Sequence, residues 1–282
     1  MLKITPFLSC ALKYKVIFFD AYGVLKNHKG IIPGIKESIR FLHKNGIKIF
    51  ILTNDASRSP KHLADFYRRN GIIEITEEKV ISSGMLAREY LRYKLKKGTV
   101  AYLGTENSAH YVEAIGLKTI SIKELDIKQA QNIDALVLLD DEGFDWFQDL
   151  NKAINLLREK NMPVIVANTD ITYPVSKQQV SLAIGGLGEL IESVVRKTFI
   201  RFGKPDAQMF NFAYQHIQQY ASVDKSEILM VGDSLNTDII GGNKFGVDTA
   251  LVLTGNTLPK EAELLINFTG IIPDYICASA VI

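Results

Sequence analysis

Short apolar runs, rich in β-branched residues, alternate along the whole chain with stretches whose apolar positions recur every three or four residues. The runs lie at 15–19, 47–52, 99–103, 135–139, 164–167, 228–231 and 249–253. They are nearly continuous rather than alternating, so both faces of each strand are buried, as in a parallel sheet covered by helices. Between them, Ile35, Ile39 and Leu42 fall on one helical face that stops at Asn45-Gly46, and Leu150, Ile154 and Leu157 fall on another that stops before Pro163. This order predicts an α/β protein of wound parallel sheets. No internal repeat or low-complexity linker divides the chain.

Composition narrows the setting. The chain has 282 residues, 47% hydrophobic and 23% charged, which excludes a disordered tail or a small disulfide scaffold and fits one large or two medium domains. Lys and Arg number 33 against 31 Asp and Glu, a net charge of +2, so no nucleic-acid partner is expected. Cys10 and Cys277 are far apart in sequence and cannot make a disulfide framework or zinc cluster, which favours a reducing compartment. No apolar run reaches the ~18 residues of a membrane span. Residues 1–10 faintly suggest a lipoprotein signal, but Pro6 and a single leading positive charge argue against it, and a cytoplasmic protein is expected.

Ligands of open α/β sheets gather at the carboxyl ends of strands, so the residue after each strand carries the information. Those residues are Asp20 in Phe19-Asp20-Ala21-Tyr22-Gly23-Val24-Leu25, then Thr53-Asn54-Asp55, then Gly203-Lys204-Pro205-Asp206, then Val231-Gly232-Asp233-Ser234-Leu235-Asn236-Thr237-Asp238. A carboxylate, a hydroxyl, an ammonium and a further acidic pair would meet at one sheet edge. Such carboxylates repel unless a hard cation sits among them, and Mg²⁺ with oxygen ligands is the expected one. That set suits phosphoryl chemistry, with Asp20 as nucleophile, Thr53 as hydrogen-bond donor and Lys204 as charge partner. Gly23 is expected to let the backbone approach the phosphate. Each residue alone has a plainer reading as a cap or turn former. Gly203-Lys204 is not a P-loop, because Thr198 and Pro205 break that pattern.

The joint order resembles the haloacid dehalogenase superfamily of aspartate-nucleophile phosphatases, through all four of its motifs. The Gly-Lys-Pro and Val-Gly-Asp-x-x-x-Thr-Asp forms are similar to the branch holding p-nitrophenyl, phosphoglycolate and pyridoxal phosphatases. The resemblance implies a Rossmann-like parallel-sheet core with an inserted α/β cap domain, the core at 1–93 and 199–282 and the cap at 94–198. It implies that Asp20, the Tyr22 carbonyl and Asp233 ligate Mg²⁺, with Asp238 in or just behind that set. Thr53 and Lys204 would hold the phosphoryl oxygens, and Asn54 would contact the phosphate or its neighbour. Asn168, Asp170 and Tyr173, after a cap strand, would face a small phosphorylated, sugar-phosphate-like substrate.

One departure matters. The family usually carries a second aspartate two residues after the nucleophile, as general acid and then base, and this chain has Tyr22 there. Such help is worth about 10²–10⁴ in rate, and a phenol of pKa about 10 replaces it poorly. Two readings follow: a phosphatase, slow or selective, or a phosphate-binding protein that scarcely turns over. The retained nucleophile and carboxylate cluster favour the enzyme. Elsewhere, 140–145 reads as a strand exit and acidic helix start rather than a calcium loop. Ile184-Gly185-Gly186-Leu187-Gly188 reads as a turn opening a helix rather than a dinucleotide fingerprint. The five histidines show no metal spacing. Trp146 reads as packing or as a contact between copies, so a homodimer is compatible with the sequence.

Overall fold

The computed structural model describes residues 2–176 and 179–282, so Met1 of the leader-like segment lies outside it. Two parallel sheets organise the chain. The larger has six strands in the order Tyr275–Cys277, Asp248–Val252, Ile228–Gly232, Val16–Phe19, Lys48–Thr53, Val80–Ser82, every neighbouring pair parallel. The first strand of the chain is therefore central, with later strands added on either side. That is the switch-point arrangement whose crevice opens at the carboxyl ends.

Alternation along the central strand explains why it reads as wholly apolar. Val16 and Phe18 feed one buried layer, while Ile17 and Phe19 feed the layer on the opposite face. The predicted helix is Ile35–Lys44, and it buries Ile35, Ile39 and Leu42. Phe7 and Cys10, inside the leader-like segment, also pack in the core.

The second sheet has five strands in the order Ile200–Arg201, Val164–Val166, Ala135–Leu138, Thr99–Leu103, Lys118–Ser121, again all parallel. Its strands thus run from 99 to 201, so the last one lies beyond position 198. One face, through Ala101, Leu103, Leu136 and Val166, makes a layer with the helices Gln148–Glu159 and Ile184–Val195. The other face, through Val100, Val137 and Ile165, joins the same apolar layer as Phe50, Leu52 and Met230 of the main sheet. Among the described residues no helix is long and apolar enough to cross a membrane. Cys10 and Cys277 are distant only along the chain: their Sγ atoms lie 3.8 Å apart in the core, both unbridged.

Candidate active site

Three neighbouring strands end at one point, and their exits deliver the charged groups. The Val16–Phe19 strand delivers Asp20, the Ile228–Gly232 strand delivers Asp233 and then Asp238, and the Lys48–Thr53 strand ends on Thr53 itself. Carboxylate oxygens of Asp20, Asp233 and Asp238 all lie within 4.8 Å of one another. Lys204 Nζ sits among them, 2.6 Å from Asp20 Oδ1 and 2.7 Å from Asp238 Oδ1. Burial alone would push the Lys204 ammonium toward neutrality, but the Asp20 and Asp238 carboxylates outweigh it and its pKa is raised. One ammonium does not balance three carboxylates. Burial, with Asp20 and Asp238 beside it, pushes Asp233 well above the usual carboxylate range, and burial pushes Asp238 up to about 6.

Local backbone holds these groups in place. Ser234 N–H donates to Asp238 Oδ2 at 3.1 Å. Asp233 Oδ2 accepts from the Asn256 backbone N–H at 2.6 Å and from Asn256 Nδ2 at 3.0 Å. Gly23 has φ +82°, and a Cβ there would stand 2.1 Å from Asp233 Oδ2. Thr53 Oγ1 accepts the Asp55 N–H at 3.2 Å, which leaves its own proton to donate.

The second sheet covers this point. Lys204 follows almost directly from the Ile200–Arg201 strand, and its carbonyl accepts Thr169 Oγ1–H at 2.7 Å. Asn54 spans the junction. Its Oδ1 accepts the Lys204 N–H at 2.7 Å, and its Nδ2 donates to Asp170 Oδ1 at 2.9 Å and to Thr169 Oγ1 and the Lys204 carbonyl, both at 3.1 Å. Between the sheets lies a cavity of about 770 Å³, floored by Asp20, Tyr22, Thr53, Lys204 and Asp233 and walled by Asp140, Asp141, Asn168, Asp170 and Tyr173. Tyr173 O–H donates to Asp141 Oδ2 at 3.1 Å, and Thr105 O–H to Asp140 Oδ2 at 3.0 Å. Burial raises Asp140 and Asp170 to about 6.

With this geometry in place, similarity to known proteins decides the family. Residues 17–118 match the haloacid dehalogenase-like hydrolase family model, and residues 201–280 match the related HAD-hydrolase-like model. The chain is 30% identical over 252 residues to chronophin of Bos taurus, covering 88% of this chain and 83% of chronophin. The chain belongs to the haloacid dehalogenase-like hydrolases. A solved structure from Cytophaga hutchinsonii, described as a possible sugar phosphatase of the HAD superfamily, is 55% identical, covering 100% of this chain and 99% of that one, with a TM-score of 0.95. A glycerol phosphate phosphatase of Mycobacterium tuberculosis, solved in complex with calcium, is 25% identical over 96% of this chain and 74% of that one, with a TM-score of 0.77.

On this haloacid dehalogenase-like frame, the sequence-derived residues separate into groups. Asp20, Tyr22, Thr53, Lys204, Asp233, Asn168, Asp170 and Tyr173 line the cavity. Asp238 lies behind Lys204, fully buried. Gly23 and Asn54 do not belong to the lining. The space that Gly23 frees is filled by the Asp233 carboxylate and the Gly255 backbone rather than by a ligand. The Asn54 carboxamide is committed to Lys204, Thr169 and Asp170.

Other residues went unread. From sequence, 140–145 reads as a strand exit and acidic helix start, yet its Asp140, Asp141 and Glu142 form one wall of the cavity. Asn256, which grips Asp233, lies just past the Asp248–Val252 strand. Asp140 sits where the strand-exit rule looks, directly after the apolar run 135–139, whereas Asn256 comes three residues past the run 249–253 and its contact with Asp233 spans 23 residues. Trp146 is half-exposed, and its Nε1–H donates to the Asp141 carbonyl at 2.9 Å, bracing that acidic turn.

Proposed function

We propose that this chain is a Mg²⁺-dependent phosphoric monoester hydrolase with Asp20 as nucleophile, acting on small phosphorylated, sugar-phosphate-like metabolites. The observation that carries the reading is the cluster of three carboxylates around one ammonium, opening onto a cavity of about 770 Å³. Site geometry and the names of the relatives support phosphatase chemistry. The substrate class leans on the 55% identical relative and on the hydroxyl and carboxamide groups of the wall.

The donor set suits a hard dication. Asp20, Asp233, Asp238 and the Tyr22 backbone carbonyl offer only oxygen, and the buried cluster is short of positive charge. When bound there, the ion would neutralise phosphoryl oxygens and let carboxylate and phosphate approach. The chain's own residues do the rest. Thr53 O–H and the Lys204 ammonium hold the non-bridging oxygens. Asp20 forms a bond to phosphorus while the ester oxygen leaves with its electron pair, and water then cleaves the aspartyl-phosphate. We read the second sheet and its helices as a cap, with Asn168, Asp170 and Tyr173 presented to the leaving group.

The test is a screen of phosphate esters with and without Mg²⁺, run beside Asp20→Asn. The expected loss of phosphate release in the variant is on the order of 10³-fold or more, the scale of removing a nucleophile. Undiminished release by Asp20→Asn would falsify the assignment.

A further inference from the structure

Asn54 is buried, 2% exposed, and every polar atom of its side chain is engaged across the junction between the sheets. On one side it takes the Lys204 N–H, which fixes the backbone that carries the cluster's ammonium. On the other it gives its amide protons to Asp170 and Thr169, in the loop that forms the cavity wall. Two close approaches tighten the same joint. A Cβ on Gly203 would stand 2.6 Å from Thr169 Oγ1 and 2.8 Å from Asn54 Oδ1, and one on Gly185 would stand 2.5 Å from the Asp170 carbonyl. The loop is thus held between the start of the Ile184–Val195 helix and the Lys204 backbone.

We propose that Asn54 is a positioning residue whose carboxamide couples the seating of the 168–174 loop to the placement of Lys204. Loop and lysine then move as one unit: a substrate that draws the loop down also sets the ammonium against Asp20. A loop that lifts away loosens the Lys204 backbone and weakens the grip on phosphate. This rests on the phosphatase reading, since it assigns Lys204 to the phosphoryl group. It differs from that reading in giving Asn54 no contact with substrate.

Two variants test the coupling. Asp170→Ala keeps Asn54 and Lys204 in the chain and removes the distal acceptor together with a cavity-wall carboxylate that attracts the Lys204 ammonium, so the exchange of the Lys204 amide, which reads the backbone, is the deciding measurement. The Lys204 backbone amide should then exchange with solvent about tenfold faster, and inorganic phosphate should inhibit about tenfold more weakly. Asn54→Asp keeps an acceptor for the Lys204 N–H but sets two carboxylates face to face, and should lose about 100-fold in kcat/KM. Adding Asp170→Asn reverses donor and acceptor on the loop side, while the bond to the Lys204 carbonyl stays lost, and should recover at least about tenfold of that loss. Unchanged Lys204 exchange in folded Asp170→Ala, or purely multiplicative effects in the double variant, overturns the inference. Asp20→Asn runs alongside. Activity surviving there sinks the phosphatase reading itself, whereas a dead Asp20→Asn beside an indifferent Asp170→Ala sinks only the coupling.

Discussion

At the scale of single residues, the proposed hydrolysis meets its sharpest limit at Tyr22. Burial raises its phenol pKa above the ordinary value, so at neutral pH it holds its proton more tightly than free tyrosine does. An ester whose oxygen needs a proton to leave should therefore suffer, while nitrophenolate leaves unaided. We expect p-nitrophenyl phosphate to be cleaved about 10²–10⁴ times faster than an alkyl phosphate, and Tyr22→Asp to close that gap by raising the alkyl rate alone. Equal gains on both esters, or none, would count against this account. Asp140 presents the opposite case, a carboxylate kept at a cost. Its native pKa of about 6 exceeds the ordinary 3.8 because burial disfavours the charge. The folded state thus binds the proton more tightly, and stability falls as pH rises between those two values and stays low above them. Asp140→Asn should stabilise the protein by on the order of 2–3 kcal/mol at pH 7.5, with the gain gone by pH 4. Urea melts at the two pH values read this directly.

At the scale of elements, the strand exits were legible because they obey a simple rule, and the turns beside them were not. Asp20, Thr53 and Asp233 could be placed from sequence, since an apolar run followed by a polar residue marks the carboxyl end of a buried parallel strand. The 254–257 turn, whose Asn256 and Thr257 N–H groups donate to Asp233, carries no such signal. Its partner is 23 residues away and no local pattern announces it. The hairpin Thr172–Pro174 with Val180–Leu182 was missed for a related reason: its strands are short and only half-buried, without an apolar run. Glycine roles are equally non-local. Gly23 and Gly30 both have positive φ, but a Cβ at 23 strikes Asp233 whereas one at 30 meets nothing within 4 Å. Each Ala substitution should cost about 1–3 kcal/mol of backbone strain. Only Gly23→Ala should also displace Asp233 and abolish the response to metal, while Gly30→Ala keeps it. Metal-dependent thermal shifts of the two variants, side by side, separate strain from collision.

For the whole molecule, the two sheets share one apolar layer, so the cavity between them is held open by a common core. That sharing was beyond the sequence: each run announced a buried strand, but not which sheet's layer its two faces would join. The same scale governs the charge cluster, because residues 20, 204, 233 and 238 meet only when the full fold is made. An unfolded chain holds no such site, so the divalent ion proposed above would bind the native state alone and stabilise it by about 2.7 kcal/mol at 100 times its Kd. At roughly 2–4 °C per kcal/mol for a chain of this size class, Mg²⁺ should raise Tm by about 5–10 °C. Asp233→Asn then has two effects of opposite sign. Without metal it removes a buried carboxylate that Asp20 and Asp238 repel, so Tm should rise above that of the wild type. With metal it removes a proposed ligand, so the Mg²⁺-induced increment should vanish. A carboxylate kept merely for folding predicts the reverse in the first measurement, a lower Tm on losing Asp233. A wild-type Tm indifferent to Mg²⁺ would remove the ion from the site altogether.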